Sequence, residues 1–146
     1  MNSVKKVLIE KVNKSEWWHV LPRDNDAYAK RGKFFASTFQ QAEFYGRPND
    51  IPARVLIKNP IYGSSETEIL EKLFPETYKD MILPEDIDSK NWYKQRTALD
   101  AAIFRKAKSS GYDAVILMGA NGEKYLENNK KPPSIELNLL YPQAGK

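Results

Sequence analysis

Apolar positions in the first part of the chain fall in short runs. Val4–Val12 ("VKKVLIEKV") and Glu16–Leu21 ("EWWHVL") are rich in β-branched and aromatic residues. They predict two short strands, with Asn13-Lys14-Ser15 as the polar break between them. Pro22–Gly32 reads as a polar loop, and "KFFAS" from Lys33 as a strand. Thr38 then suits the N-cap of a short helix, "FQQAEFYG", that Gly46 ends. After the turn-rich "RPNDIP", Ala53–Gly63 ("ARVLIKNPIYG") predicts a strand closed by Asn59-Pro60.

The spacing changes further on. Ser64–Phe74 predicts a helix opened by a capping box, since Ser65 is followed three residues later by Glu68. Pro75 and Pro84 bracket a short irregular segment. Ser89–Gly111 is the longest predicted helix: Leu99, Ala102, Ile103 and Ala107 share one face, and Gly111 caps it. Tyr112–Met118 ("YDAVILM") has the continuous apolar run of a strand covered on both sides. "GANGEKYLENNKKPP" reads as a polar loop. Ser134–Pro142 ("SIELNLLYP") is a last strand, with Ile135, Leu137 and Leu139 on one face and Glu136, Asn138 and Leu140 on the other. The order β-β-β-α-β-α-α-β-β is too irregular for a doubly wound parallel sheet. It predicts one compact α+β domain with helices wedged around mostly antiparallel strands.

Composition narrows the chemistry. A chain of 146 residues can bury a core without staples, and the complete absence of cysteine removes disulfides, thiol nucleophiles and the common zinc sites. No apolar run approaches the roughly 20 residues that cross a bilayer. The charges threaded through the first apolar positions do not read as a signal peptide, so a cytoplasmic protein with no membrane partner is expected. Lys and Arg exceed Asp and Glu by 23 to 19, giving a net charge of +4. The basic residues fall in small separate clusters, Lys5-Lys6, Lys30-Arg31-Lys33, Arg105-Lys106-Lys108 and Lys130-Lys131, a pattern that reads as solvated surface.

Several familiar sites fail on spacing. "GANGEK" is too short for a P-loop, and no G-x-G-x-x-G occurs. Asp24-Asn25-Asp26 opens like a calcium loop, but Ala29 and Phe35 stand where the turn glycine and the bidentate glutamate belong. With one histidine and no cysteine, no metal is expected, and nothing resembles the serine-hydrolase elbow.

What remains is a set in fixed order: His19 in a strand, Phe35 with Ser37-Thr38, Tyr45 closing the short helix, and Glu136 in the last strand. With "WWHVL", "FFAST", "QQAEFY" (Ala42 three residues before Tyr45) and "SIEL", the chain resembles the ADP-ribosyltransferase superfamily. Within it, the likeness is to the diphtheria-toxin-like His–Tyr–Glu group and its small phage and polyvalent-protein members. Val20 and Leu21 follow His19, where that family carries a small residue and then Thr or Ser.

The resemblance implies an ADP-ribosyltransferase-like fold, mostly antiparallel strands around a cleft with flanking helices, and a mono-ADP-ribosyltransferase of phage or mobile-element type. It would take NAD as substrate and a macromolecular acceptor, protein rather than nucleic acid. It assigns Glu136 as the catalytic carboxylate and His19, Phe35, Ser37, Thr38 and Tyr45 as NAD-binding. A carboxylate beside an oxocarbenium-like ribose suits that chemistry, because nicotinamide leaves without a strong acid. Flat rings would hold the nicotinamide, a role for Phe35 and Tyr45. Arg23 or Arg31 would meet the diphosphate. Burial alone explains Phe34, Phe39 and Phe44. Two other readings stay open: a non-catalytic binding module on the same fold, and a basic nucleic-acid binder.

Overall fold

Residues 3–14 form a helix, not the strand their β-branched content predicts. The reason is a four-residue spacing that outweighs propensity. Val4, Leu8 and Val12 stack on one side, with Leu8 and Val12 fully buried, while Lys6, Glu10 and Lys14 repeat on the exposed side. This helix, α1 (Ser3–Lys14), ends where the Ser15 hydroxyl donates to the Lys11 carbonyl at 2.7 Å. The indole of fully buried Trp17 then donates to the Val12 carbonyl at 3.0 Å, locking the helix end to the next strand.

A computed structural model describes residues 3–19, 33–36, 53–82 and 89–141. It contains six strands: β1 (Glu16–His19), β2 (Lys33–Ala36), β3 (Ala53–Arg54), β4 (Pro60–Gly63), β5 (Ala114–Met118) and β6 (Ile135–Leu139). They form one sheet in the order β3-β1-β2-β6-β5-β4. Only β4 and β5 are parallel; the other pairs are antiparallel. The architecture is therefore α+β with a mostly antiparallel sheet.

Helices cover both faces. α1 and the short α4 (Gly122–Glu127) close one side over Leu8, Val12, Tyr62, Ile116, Leu126 and Leu137. α2 (Glu66–Leu73) and α3 (Ser89–Ser109) close the other over Ile61, Leu70, Ile103, Phe104 and Val115. Two apolar layers on one sheet explain why β5 is apolar throughout.

The 53–63 segment is not one strand. Between β3 and β4 its backbone turns to side chains instead of a neighbouring strand. The Asn13 amide donates to the Ile57 carbonyl at 3.0 Å and accepts the Ile57 N–H at 2.8 Å. The Asp113 carboxylate accepts the N–H groups of Lys58 and Asn59 at 2.7 and 3.0 Å. Pro60 consequently starts β4 instead of closing a strand, in keeping with a residue that cannot donate to a ladder.

Helix ends follow local rules. The Ser65 hydroxyl accepts the Glu68 N–H at 3.2 Å, and the Glu68 carboxylate returns to the Ser64 N–H at 3.0 Å, one residue before the expected partner. α3 closes with Tyr112 N–H to Ala107 carbonyl and Gly111 N–H to Lys108 carbonyl, with Gly111 at φ +92°. That is a Schellman cap. α4 replaces the expected polar loop and ends the same way. Lys130 donates to Tyr125, Asn129 donates to Leu126, and Asn129 takes the left-handed position at φ 58°. Leu126, fully buried, is what pulls this polar segment against the core.

The outer strand β4 carries a further contact. Lys72 of α2 donates to the Tyr62 carbonyl at 2.6 Å, with its amine 4.3 Å from the centre of the Tyr62 ring.

Candidate functional site

The strand order brings β1, β2 and β6 side by side, although β6 lies about a hundred residues along the chain from β2. These are the strands of His19, Phe35 and Glu136. Their register separates the three positions into two rows. His19 pairs with Phe35, and Phe35 with Leu137, which continues to Ile116 and Tyr62. Trp18 pairs with Ala36, and Ala36 with Glu136, which continues to Leu117 and Gly63.

Neighbouring rows of a sheet belong to opposite faces. The Leu137–Ile116 row lies in the layer under α1, while Leu117 packs with the α2–α3 layer. The sheet thus brings the strands of His19, Phe35 and Glu136 together, yet it sets Glu136 one row away from the His19–Phe35 pair. For His19 and Phe35 it is the backbone that is described. Ser37, Thr38 and Tyr45 lie outside the described residues, as do Arg23 and Arg31.

Glu136 is half-buried between fully buried Ile135 and Leu137. A carboxylate in that setting keeps some access to solvent and is flanked by rigid strand positions. That combination suits a group that must face a ligand in one orientation.

Beside the start of β6, two residues before Glu136, is a cavity of 170 Å³ bordered by Gly119, Asn121, Gly122, Tyr125, Pro132 and Ser134. Its lining residues carry the Asn121 carboxamide, the hydroxyls of Tyr125 and Ser134 and one aromatic ring, with no carboxylate, amine or imidazole. In the sequence this segment reads as a polar loop whose "GANGEK" fails the P-loop spacing. The signals of the cavity are the "GANG" turn directly after a buried strand and the Pro132-Pro133 pair before the next.

Two charged groups near these layers are perturbed. Burial lowers the pKa of Lys131, whose amine sits 4.8 Å from the centre of the Trp17 ring. Burial also acts to lower Arg96, but hydrogen bonds and charge from Glu66 and Asp100 outweigh it, so the net direction is upward.

Among the described residues no group of three or more His, Asp or Glu side chains is placed to hold a metal ion. No helix among them is long and apolar enough to cross a membrane. No family model, no curated protein and no solved structure matches the chain.

Proposed function

We propose that the chain is a small mono-ADP-ribosyltransferase that uses NAD as substrate and modifies a macromolecular acceptor. The observation that supports this reading is the adjacency of β1, β2 and β6. Three strands that carry His19, Phe35 and Glu136 are hydrogen-bonded neighbours, although the last is far from the others in sequence. The ADP-ribosyltransferase-like fold, with its cleft between strands, belongs to the same proposal.

In this reading the bond between ribose C1 and the nicotinamide nitrogen breaks, and its electron pair leaves with the nicotinamide. Positive charge develops on the ribose, where the Glu136 carboxylate stabilises it. The acceptor's nucleophile then bonds to C1, and its proton passes to Glu136. His19 and Ser37 or Thr38 would hold the ribose hydroxyls, and Phe35 and Tyr45 the nicotinamide ring.

The test is release of nicotinamide from NAD by the purified protein. Glu136→Gln should lower turnover roughly 100-fold or more, the size expected for losing a group that stabilises transition-state charge. Its melting temperature should stay close to that of the parent protein. Full turnover in Glu136→Gln removes the catalytic assignment.

A second reading is a non-catalytic binding module on the same scaffold. It is favoured by the row offset, which gives Glu136 to one face and the His19–Phe35 positions to the other. It predicts no nicotinamide release and no thermal stabilisation by NAD.

A further inference from the structure

We infer that the sheet end formed by the start of β5 and the end of β6 is a binding surface for single-stranded nucleic acid. It lies at the opposite end of the β5–β6 pair from the Gly119–Ser134 cavity. It stands whether or not the protein turns over NAD.

The basic clusters look separate along the chain, but the fold gathers members of three regions at this end. Lys5 of α1 donates to the Asn59 side chain, and its amine lies 5.7 Å from the centre of the Tyr112 ring. Asn59 donates through its amide to the Gly111 carbonyl at 2.9 Å, joining that segment to the end of α3. Lys58 is exposed beside it, its backbone held by Asp113. At the end of α3, the Lys108 amine lies 4.5 Å from the centre of the Tyr141 ring and 5.1 Å from that of Phe104. Exposed Arg105 is three residues before Lys108 and so lies beside it on the helix surface.

Four cations from three separate parts of the chain, Lys5, Lys58, Arg105 and Lys108, therefore belong to the segments that border this end of the sheet. Asp113 directs both carboxylate oxygens at backbone N–H groups, those of Lys58 and Asn59. Favourable helix-end electrostatics would explain Lys108 alone. It does not explain Lys5 and Lys58, which come from other elements.

The aromatic rings select the kind of polyanion. Tyr141 is 46% exposed and Tyr112 is half-buried, each with a lysine against its ring. Interleaved cations and rings suit a strand whose phosphates are close to unstacked bases, because every base offers a face to a ring. A duplex hides those faces, and an acidic peptide supplies charge without them.

The experiment is fluorescence anisotropy of a labelled 15-mer oligothymidine over a range of salt concentrations. About three phosphate contacts would give a slope of log affinity on log salt of about −2. The double variant Lys58→Gln/Lys108→Gln should weaken binding about tenfold or more and bring the slope down by about 1.4. Tyr141→Ala should weaken binding by roughly fivefold or more with the slope unchanged, since stacking releases no counterions. Lys58→Glu, a reversal at an exposed side chain, should weaken it further than Lys58→Gln and serves if the double variant does not fold. No binding at low salt overturns the inference, as does binding indifferent to all these variants. So does poly-aspartate competing as well as the oligonucleotide.

Discussion

Arg96 of α3 and Glu66 in the first turn of α2 meet through both terminal guanidinium nitrogens, one of them at 3.0 Å. Asp100, one turn further along α3, accepts from the same guanidinium at 2.7 Å. All three side chains are only about a fifth to a third exposed, at 23, 35 and 21%. The arrangement ties two helices through a planar fork that lysine cannot reproduce. Arg96→Met should cost about 1–2 kcal/mol in urea unfolding, allowing for screening by solvent. Arg96→Lys should recover less than half of that loss. A loss confined to a few tenths would show that the apolar α2–α3 contact suffices.

Gly111 and Gly122 make a contrasting pair. Gly111 has φ +92° but open space where a Cβ would stand, so Gly111→Ala should cost about 1 kcal/mol from backbone conformation alone. Gly111→Asn should cost less, as Asn129 already occupies the equivalent position after α4. A Cβ on Gly122 would lie 2.4 Å from the Met118 Cβ. Gly122→Ala should therefore cost about 1–3 kcal/mol from overpacking; Met118→Ala keeps the clashing Cβ and should not rescue it, whereas Met118→Gly in the same chain should relieve the clash. Thermal unfolding of the single and double variants distinguishes the two causes.

Asp113 holds the turn before β4 by accepting two consecutive backbone N–H groups. Asp113→Ala should destabilise the protein by about 1–3 kcal/mol. Amide exchange at Lys58 and Asn59 should speed up more than at the buried β5 positions. Uniform acceleration across the sheet would mean that the turn has no local role.

Lys131 sets a pH dependence at the alkaline end. Burial lowers its folded pKa, so the unfolded chain binds that proton more tightly. Stability should rise with pH from the lowered folded value up to the ordinary 10.5, and the full cost is present below that interval. Lys131→Met keeps an apolar stem against Trp17 and removes the charge. It should raise stability at neutral pH and flatten the alkaline rise; an unchanged profile would count against burial as the cause.

Local signals in the sequence identified β1, β2, β5, β6, α2 and α3, because caps and apolar spacing act over a few residues. Gly111 and the Ser65–Glu68 pair announced helix ends that the structure contains. In α1 the β-branched Val and Ile point to a strand, while the Val4–Leu8–Val12 repeat that packs on the core decides for helix. α4 has no legible helical period, since its one buried apolar anchor, Leu126, sits among polar neighbours. The break between β3 and β4 depends on Asn13 and Asp113, more than forty residues away in each case, and no local pattern reports that. At the candidate site, the strand adjacency follows from topology, and the row offset of Glu136 follows from register. Neither is written in residue order.

The contact between Lys72 and the Tyr62 carbonyl has a consequence for how this protein meets other chains. A bare outer strand invites another strand to extend the sheet, which is how folded proteins seed fibres. Here a lysine of α2 occupies a backbone carbonyl of β4. Growth by backbone pairing is discouraged along that border, which leaves contacts made there to side chains.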